Sequence, residues 1–395
     1  MKSIIVHLLL FTGIYSFAQP TDRNLKTVTF TGEGYELGVQ HGKTLKTEIA
    51  GIIAAWKKNT STALEKDADA VLKDFFEYAH FDDAIRKWTP DLYQEIRGIA
   101  DGSGQAFNDI MVLNLLDEFW VYVNNLNNHH CSGIGVPATG SRPGYISQNM
   151  DLENYTDGFQ VMMRIEKSGD QPEQLILTHP GLIALNGLNE QGIGVCVNTL
   201  MQLQASSTGL PVAFIIRRII RSTDKEDLLQ FIQTVPHASG QNYIIGIKGE
   251  VFDFEASANQ VTRFNPVNEN GSVYHTNHPL ANDDVKPWFA AFKPSGPKGT
   301  KQVQDNSYYR FKAVEQRISK NKDVSESTIM ATLRSRDFNN NPVCRTNLQN
   351  GKGYTFASVI MTMADKPYIQ VTPGPPDESA YERFEFNANQ YAGYK

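Results

Sequence analysis

Cysteine is scarce in this chain, with three residues (Cys131, Cys196 and Cys344) in 395. That excludes a disulfide-dense scaffold. The odd count leaves at least one thiol unpaired; if Cys196 and Cys344 pair or are simply buried, the one left over is Cys131. Blocks of one charge are missing too. Lys and Arg number 37 against 43 Asp and Glu, interleaved, for a net charge of −6. The concentrated basic face needed for phosphate backbones is therefore absent, and nucleic acid is not expected as a partner. The apolar run from Ile4 to Phe11 is too short to span a bilayer, so no stable membrane insertion is expected. No sizeable Gly/Pro/Ser linker divides the chain after Cys131, and no repeat of solenoid or propeller period is present.

What remains is an ordinary globular composition, 41% hydrophobic and 20% charged, long enough for a large core. The first residues have the layout of a secretory signal: Lys2, the apolar Ile4 to Phe11, then small residues around Ser16-Phe17-Ala18. Residues 1–18 are read as that signal, with the mature chain starting near Gln19 and the protein exported, periplasmic or extracellular. Residues 19–130 then read as mostly helical after a short strand, Thr27 to Phe30. Leu45, Ile49, Ile52, Ile53 and Trp56 form one apolar stripe, Pro90 interrupts a helix over Phe81 to Ala100, and a helix starting at Asn108-Asp109 runs through Trp120.

From Tyr145 the hydrophobic period changes to two. Strands are predicted at Phe159 to Ile165, Gln174 to Thr178, Leu182 to Leu185 and Ile193 to Thr199, with a turn over Gly187 to Gly192. Helices follow at Val212 to Ile220 and Lys225 to Val235, the second capped by Asp224. Strands resume over 243–276, helices at Tyr308 to Ile318 and Glu326 to Arg336, and strands close the chain at Tyr354 to Met363 and Tyr368 to Val371. Strands and helices alternate in blocks, which favours an α+β fold of stacked antiparallel sheets with helical layers, and residues 131–395 read as one domain.

The cysteine at the helical-to-strand boundary, in His129-His130-Cys131-Ser132-Gly133, is a candidate nucleophile, because a thiolate is the most nucleophilic side chain near neutral pH. Metal is not expected. His129-His130 and His275-x-x-His278 resemble ligand sets, but neither pair has the four-residue helical spacing, and strand alternation splays adjacent histidines apart.

Several motifs converge on one family in order and spacing. These are Gly34 to Gly42, Glu95 to Gly104, Cys131, Gln148-Asn149-Met150-Asp151, Gly187 to Gly192, His275-Thr276-Asn277-His278 and Val343-Cys344-Arg345. In these the chain resembles the isopenicillin N acyltransferase (acyl-coenzyme A:6-aminopenicillanic acid acyltransferase) family and related cysteine N-terminal-nucleophile (Ntn) hydrolases. The resemblance implies a four-layer αββα sandwich preceded by the helical segment, and a precursor that cuts itself between His130 and Cys131. Residues 19–130 would then form one chain and 131–395 the catalytic core. The cut exposes an α-amine with an ordinary pKa of about 7.7–8.0, which can serve as base to the thiol of the same residue.

By this resemblance Asp151 holds the new amine, Asn277 donates to the tetrahedral oxyanion, and Arg345 pairs with Asp151 and stabilises charge. Asn198 and the Thr199 backbone N–H are further oxyanion or supporting candidates. His130 stands where glycine is expected from the acyltransferase. Gln148 stands where bile-salt hydrolases carry arginine, so bile-salt specificity is not implied. The expected activity is cleavage of a linear amide through an acyl-enzyme on Cys131, without cofactor, on a small-molecule amide or thioester. Transfer of the acyl group to an amine, or a non-catalytic ligand-binding member of the fold, are the alternatives.

Overall fold

The computed structural model describes residues 23–124, 130–266, 268–291, 302–346 and 353–387. The proposed signal, His129 and the mature N-terminus near Gln19 lie outside the described residues. Along the chain come β1 (Lys26–Phe30), α1 (Gly34–Thr44), α2 (Lys46–Leu64), α3 (Ala68–Tyr78), α4 (Asp82–Trp88), α5 (Pro90–Ser103), α6 (Phe107–Leu113) and α7 (Leu116–Tyr122). Next are β2 (Ser132–Val136), β3 (Gly144–Leu152), β4 (Val161–Ile165), β5 (Gln174–Thr178), β6 (Asn186–Asn189) and β7 (Ile193–Thr199). They are followed by α8 (Val212–Ile220), α9 (Lys225–Thr234), β8 (Gln241–Ile247), β9 (Glu250–Ala256), β10 (Val261–Phe264) and β11 (Val273–His275). The chain closes with α10 (Pro287–Ala290), α11 (Gln302–Ile318), α12 (Glu326–Leu333), β12 (Tyr354–Met363), β13 (Tyr368–Val371) and β14 (Glu382–Glu385).

Two sheets result. One has the order β1-β4-β5-β6-β7-β8-β9-β10, the other β11-β2-β3-β12-β13-β14. They face each other through β2 and β3 on one side and β7, β8 and β9 on the other. Helix α8 covers the outer face of the larger sheet against β6 and β7; α11 and α12 cover the smaller against β11, β2 and β3. That is the αββα order. Strands such as β7 and β12 are buried on both faces, as a sheet with one face on its partner sheet and the other under helices must be.

The helical segment is fixed by two means, one within itself and one to the sandwich. Gly38 and Gly42 of α1 meet Gly98 and Gly102 of α5 so closely that a Cβ at Gly38 would collide with the Glu95 carbonyl, and one at Gly98 with that of Tyr35. The obstacle is backbone, which cannot rotate away. Gly38→Ala is accordingly expected to cost about 3 kcal/mol, read as a lowered thermal midpoint. A midpoint within experimental error of wild type would contradict this packing. The second means is polar. Glu95 of α5 pairs with Arg217 of α8 at 2.7 Å, both buried, and Arg217 also donates to Gln174 of β5 at 2.8 Å.

Three elements depart from the sequence reading. Leu182 to Leu185 forms no strand; it belongs to a loop held by the helical segment, where Asn114 donates to the Gly181 carbonyl and accepts from Ile183 N–H. The predicted turn at Gly187 instead begins within β6, paired with β5 and β7. The helix expected through Leu113 and Trp120 is broken at Asn114, whose side chain serves that loop.

His41 grips the same loop. Its Nε2 accepts the Gly181 N–H at 3.0 Å, and burial, then Arg217 and His179, push its pKa from 6.5 to about 3. Below pH 6.5 the unfolded chain gains a proton here that the folded chain refuses. The stability His41 contributes is thus full above 6.5 and lost as pH falls towards 3. His179 and His237, lowered to about 4, act in the same direction. Buried Glu118 and Asp253, raised to about 7, and Asp151, raised to about 6, act the other way, so His41 is read by difference. In urea unfolding between about pH 7.5 and 4.5, the stability of wild type relative to His41→Gln should fall as pH falls. A difference that stays constant across that range would exclude His41 as a source.

Candidate active site

Cys131 is the residue immediately before β2, buried at the end of the smaller sheet. Its Sγ lies 3.6 Å from Met150 Sδ and 3.9 Å from the Asp151 carbonyl oxygen. Register explains this neighbourhood. Ser132 pairs with Asn149 across β2 and β3, which sets Cys131 beside Met150 and Asp151. On the other side of β3, Asp151 pairs with Thr355, next to a bulge between Thr355 and Ala357. A bulge bends its strand and re-aims the side chains around it. Here Thr355 donates its hydroxyl to Asp151 Oδ1 at 2.7 Å and accepts the Arg345 N–H at 3.0 Å.

The electrostatics are those of a dry pocket. Burial, then the charge of Asp151, pushes the Cys131 thiol up to about 12, against the opposing pull of Arg310. Burial raises Asp151 to about 6, with Arg345, Arg310 and the Thr355 hydroxyl holding it from going higher. Arg345 Nη1 stands 4.0 Å from Asp151 Oδ2, within ion-pair range but beyond a hydrogen bond. Among the described residues that carboxylate oxygen and that guanidinium nitrogen are both buried without a hydrogen-bond partner, an unusual state for charged groups.

Asn277 follows β11 and is pinned at four atoms. Its N–H donates to Ser307 Oγ (2.7 Å), its carbonyl accepts from Gln202 (2.9 Å), Nδ2 donates to the Thr199 carbonyl (3.0 Å), and Oδ1 accepts from Arg310 (2.9 Å). Beneath it His275 Nε2 meets Glu255 at 2.7 Å, both buried. Burial works against the imidazolium, but the Glu255 hydrogen bond and charge outweigh it, so His275 is raised. Glu255 also takes the N–H groups of Leu280, Ala281 and Asn282, which fixes the loop beyond Asn277. Thr199 ends β7, with its hydroxyl donated to Asp117 of α7 at 3.1 Å. Asn198, one residue earlier, is buried close to Gly133 and has no partner on either amide atom among the described residues.

The structure therefore brings Cys131, Asp151, Arg345, Asn277 and Thr199 to one end of the sandwich, with Asn198 between the sheets. His130 Nδ1 lies 3.0 Å from Asn306 Oδ1. Gln148 is used internally, donating to the Val197 carbonyl and accepting from Asn186. All three cysteines are free and buried, so the Cys196–Cys344 pairing left open by the sequence does not occur; Cys344 Sγ instead contacts Asp377 Oδ1 at 3.0 Å.

Arg310 was not found from the sequence. It is fully buried on α11, donating to the Cys131 carbonyl at 2.5 Å, Ser132 Oγ at 3.0 Å, Asn277 Oδ1 and Asn306 Oδ1 at 2.8 Å. Its signal was available: Arg310 stands three and four residues before Ala313 and Val314, which puts a charge in line with a buried stripe. A cleft of about 770 Å³ lined by Ser141, Arg142, Glu190, Lys248 and Asp365 lies at the opposite end of the sandwich, by the β2–β3 turn.

Two facing sheets between helical layers, with a cysteine at the head of an inner strand beside a buried carboxylate, define the sandwich class of the Ntn hydrolases. Within it the chain belongs to the acyl-coenzyme A:6-aminopenicillanic acid acyl-transferase family, whose sequence profile matches residues 140–376. That span contains Asp151, Asn198, Thr199, Asn277, Arg310 and Arg345 and begins after Cys131. Among curated proteins, the 40 kDa form of acyl-coenzyme A:6-aminopenicillanic-acid-acyltransferase from Emericella nidulans is 27% identical over 266 residues, 65% of this chain and 70% of that protein. Solved structures with a likeness include a single-residue variant of conjugated bile acid hydrolase from Clostridium perfringens (TM-score 0.36, 13% identity, 65% of this chain and 97% of that one). Another is penicillin V acylase from Agrobacterium tumefaciens (TM-score 0.39, 13% identity, 66% and 86%).

Proposed function

We propose that the chain is an exported amidohydrolase that cuts itself before Cys131 and then uses Cys131 as nucleophile. The observation that carries this is the carboxylate beside the thiol: Asp151 Oδ2, buried with no hydrogen-bond donor among the described residues, next to a cysteine whose pKa burial holds near 12. A new α-ammonium on Cys131 would meet that carboxylate, and in its neutral form would take the thiol proton. The helical segment would remain attached after the cut through Glu95–Arg217, the pairing of β1 with β4, and the Asn114 and His41 bonds to Gly181.

The steps balance. In the precursor, Sγ adds to the His130 carbonyl carbon, the C–N bond breaks, and the thiol proton ends on the departing amine. Water then splits the resulting thioester, leaving a His130 carboxylate and a free thiol. In turnover, Sγ adds to the substrate amide carbonyl, the amine product leaves with a proton, and water releases the acid. Asn277 Nδ2 is the oxyanion donor, Arg345 offsets the charge of Asp151, and Asn198 and Thr199 support the opposite wall.

Transfer of the acyl group to an amine in place of water is the second reading, favoured by the acyltransferase of Emericella nidulans. The test is an intact-mass time course of wild-type protein mixed with N-acyl amides, with and without hydroxylamine. An acyl adduct on the fragment that begins at Cys131, lost faster with hydroxylamine, is expected. A single chain that never acquires an adduct would instead leave a ligand-binding protein. Product partition towards added amines over water would favour transfer.

A further inference from the structure

We propose that Arg310 and Asn306 are positioning residues for self-cleavage, gripping the chain on both sides of the His130–Cys131 peptide bond. This rests on the reading that this bond is the one cut. Downstream of the bond, Arg310 Nη1 holds the Cys131 carbonyl and Ser132 Oγ. Upstream, Asn306 Oδ1 meets the His130 ring at 3.0 Å, and the same oxygen accepts Arg310 Nε at 2.8 Å. Asn306 is itself fixed, its Nδ2 donating to Asn341 Oδ1 at 2.9 Å. Two residues one helical turn apart on α11 thus tie down the substituents at either end of one peptide unit.

The chemistry of the guanidinium supports a geometric task. All four of its acceptors are neutral oxygens, so its buried charge is not matched by a direct ion pair with any of them; packing alone would be served as well by an apolar side chain. What a guanidinium adds is a rigid planar fork that sets several acceptors relative to one another. Here it registers the Cys131 main chain against the Asn277 amide through Asn277 Oδ1. Attack of Sγ on the carbonyl carbon one residue upstream demands such placement, because small misalignments of reacting atoms cost large factors in rate. His130 in place of glycine fits the same device, since it supplies the ring that Asn306 holds.

The test uses the full-length chain. Freshly purified protein is followed by intact mass for the appearance of the two fragments, and thermal midpoints are recorded alongside. Asn306→Asp keeps an oxygen for both His130 and Arg310 and should cleave within about threefold of wild type, whereas Asn306→Leu should cleave at least about tenfold more slowly at a similar midpoint. Arg310→Lys keeps the charge but cannot reach four acceptors, and should slow cleavage by about a hundredfold or more. Asn306→Leu and Arg310→Lys cleaving at the wild-type rate would overturn the proposal. So would Asn306→Asp and Asn306→Leu slowing alike in step with their midpoints, which marks a structural role alone. If Arg310→Lys fails to fold, the two Asn306 variants decide. A wild-type chain that stays whole removes the proposed function itself, and this inference with it.

Discussion

Cys131→Ala is expected to yield one uncut chain with no amide hydrolysis, while wild type yields two fragments, the second beginning at Cys131. In the proposed mechanism one sulfur serves both reactions: without it nothing attacks the His130 carbonyl, and nothing attacks the substrate. The fold should survive, since removing one buried sulfur forfeits only about 1 kcal/mol of burial, and Arg310 still holds the main chain at this position. Cys131→Ser separates the two roles of the residue. A hydroxyl is a poorer nucleophile than a thiol at neutral pH, so slow or absent cleavage is expected with the same fold. Intact mass, N-terminal sequencing and a thermal midpoint on the three proteins check this. A Cys131→Ala chain that is cut at the same bond would place the nucleophile elsewhere, Ser132 being the adjacent hydroxyl.

The elements legible in the sequence are those where burial imposes a plain period. Ile193–Thr199, Val212–Ile220, Tyr354–Met363 and Tyr368–Val371 have the bounds the pattern predicts. Asp224 caps α9 as its residue type suggests, accepting from Asp227 N–H. β6 was hidden because Asn186-Gly187-Leu188-Asn189 carries turn formers at every position but Leu188. They are strand residues here for tertiary reasons: a Cβ at Gly187 would crowd the Leu175 carbonyl, and Asn189 spends its amide on Ile220 and Ser222 carbonyls and on the turn at 191–193. Within the site, Cys131, Asp151, Asn277 and Arg345 came from motifs with a family precedent. Arg310, Asn306 and Asp117 came from no motif, since their importance lies in what the fold brings to them across 179, 176 and 82 residues of chain.

Asn277 carries the second large expected effect. Asn277→Ala should lower kcat by about 10²–10³, the usual loss on removing one oxyanion donor, with KM changed far less. Alanine alone does not identify the cause, because it also strips Arg310 of an acceptor. Asn277→Asp removes that ambiguity. A carboxylate still accepts from Arg310, and as a charged acceptor it does so more strongly, but it has no N–H to offer an oxyanion or the Thr199 carbonyl. If Asn277 acts as a donor, the two variants lose kcat alike, and aspartate loses somewhat more because its charge repels the oxyanion. If Asn277 acts only by orienting Arg310, aspartate retains most of the wild-type rate while alanine does not. Single-turnover acylation of Cys131, measured on whatever fraction of each variant is cut, reads the difference at the step where the oxyanion forms.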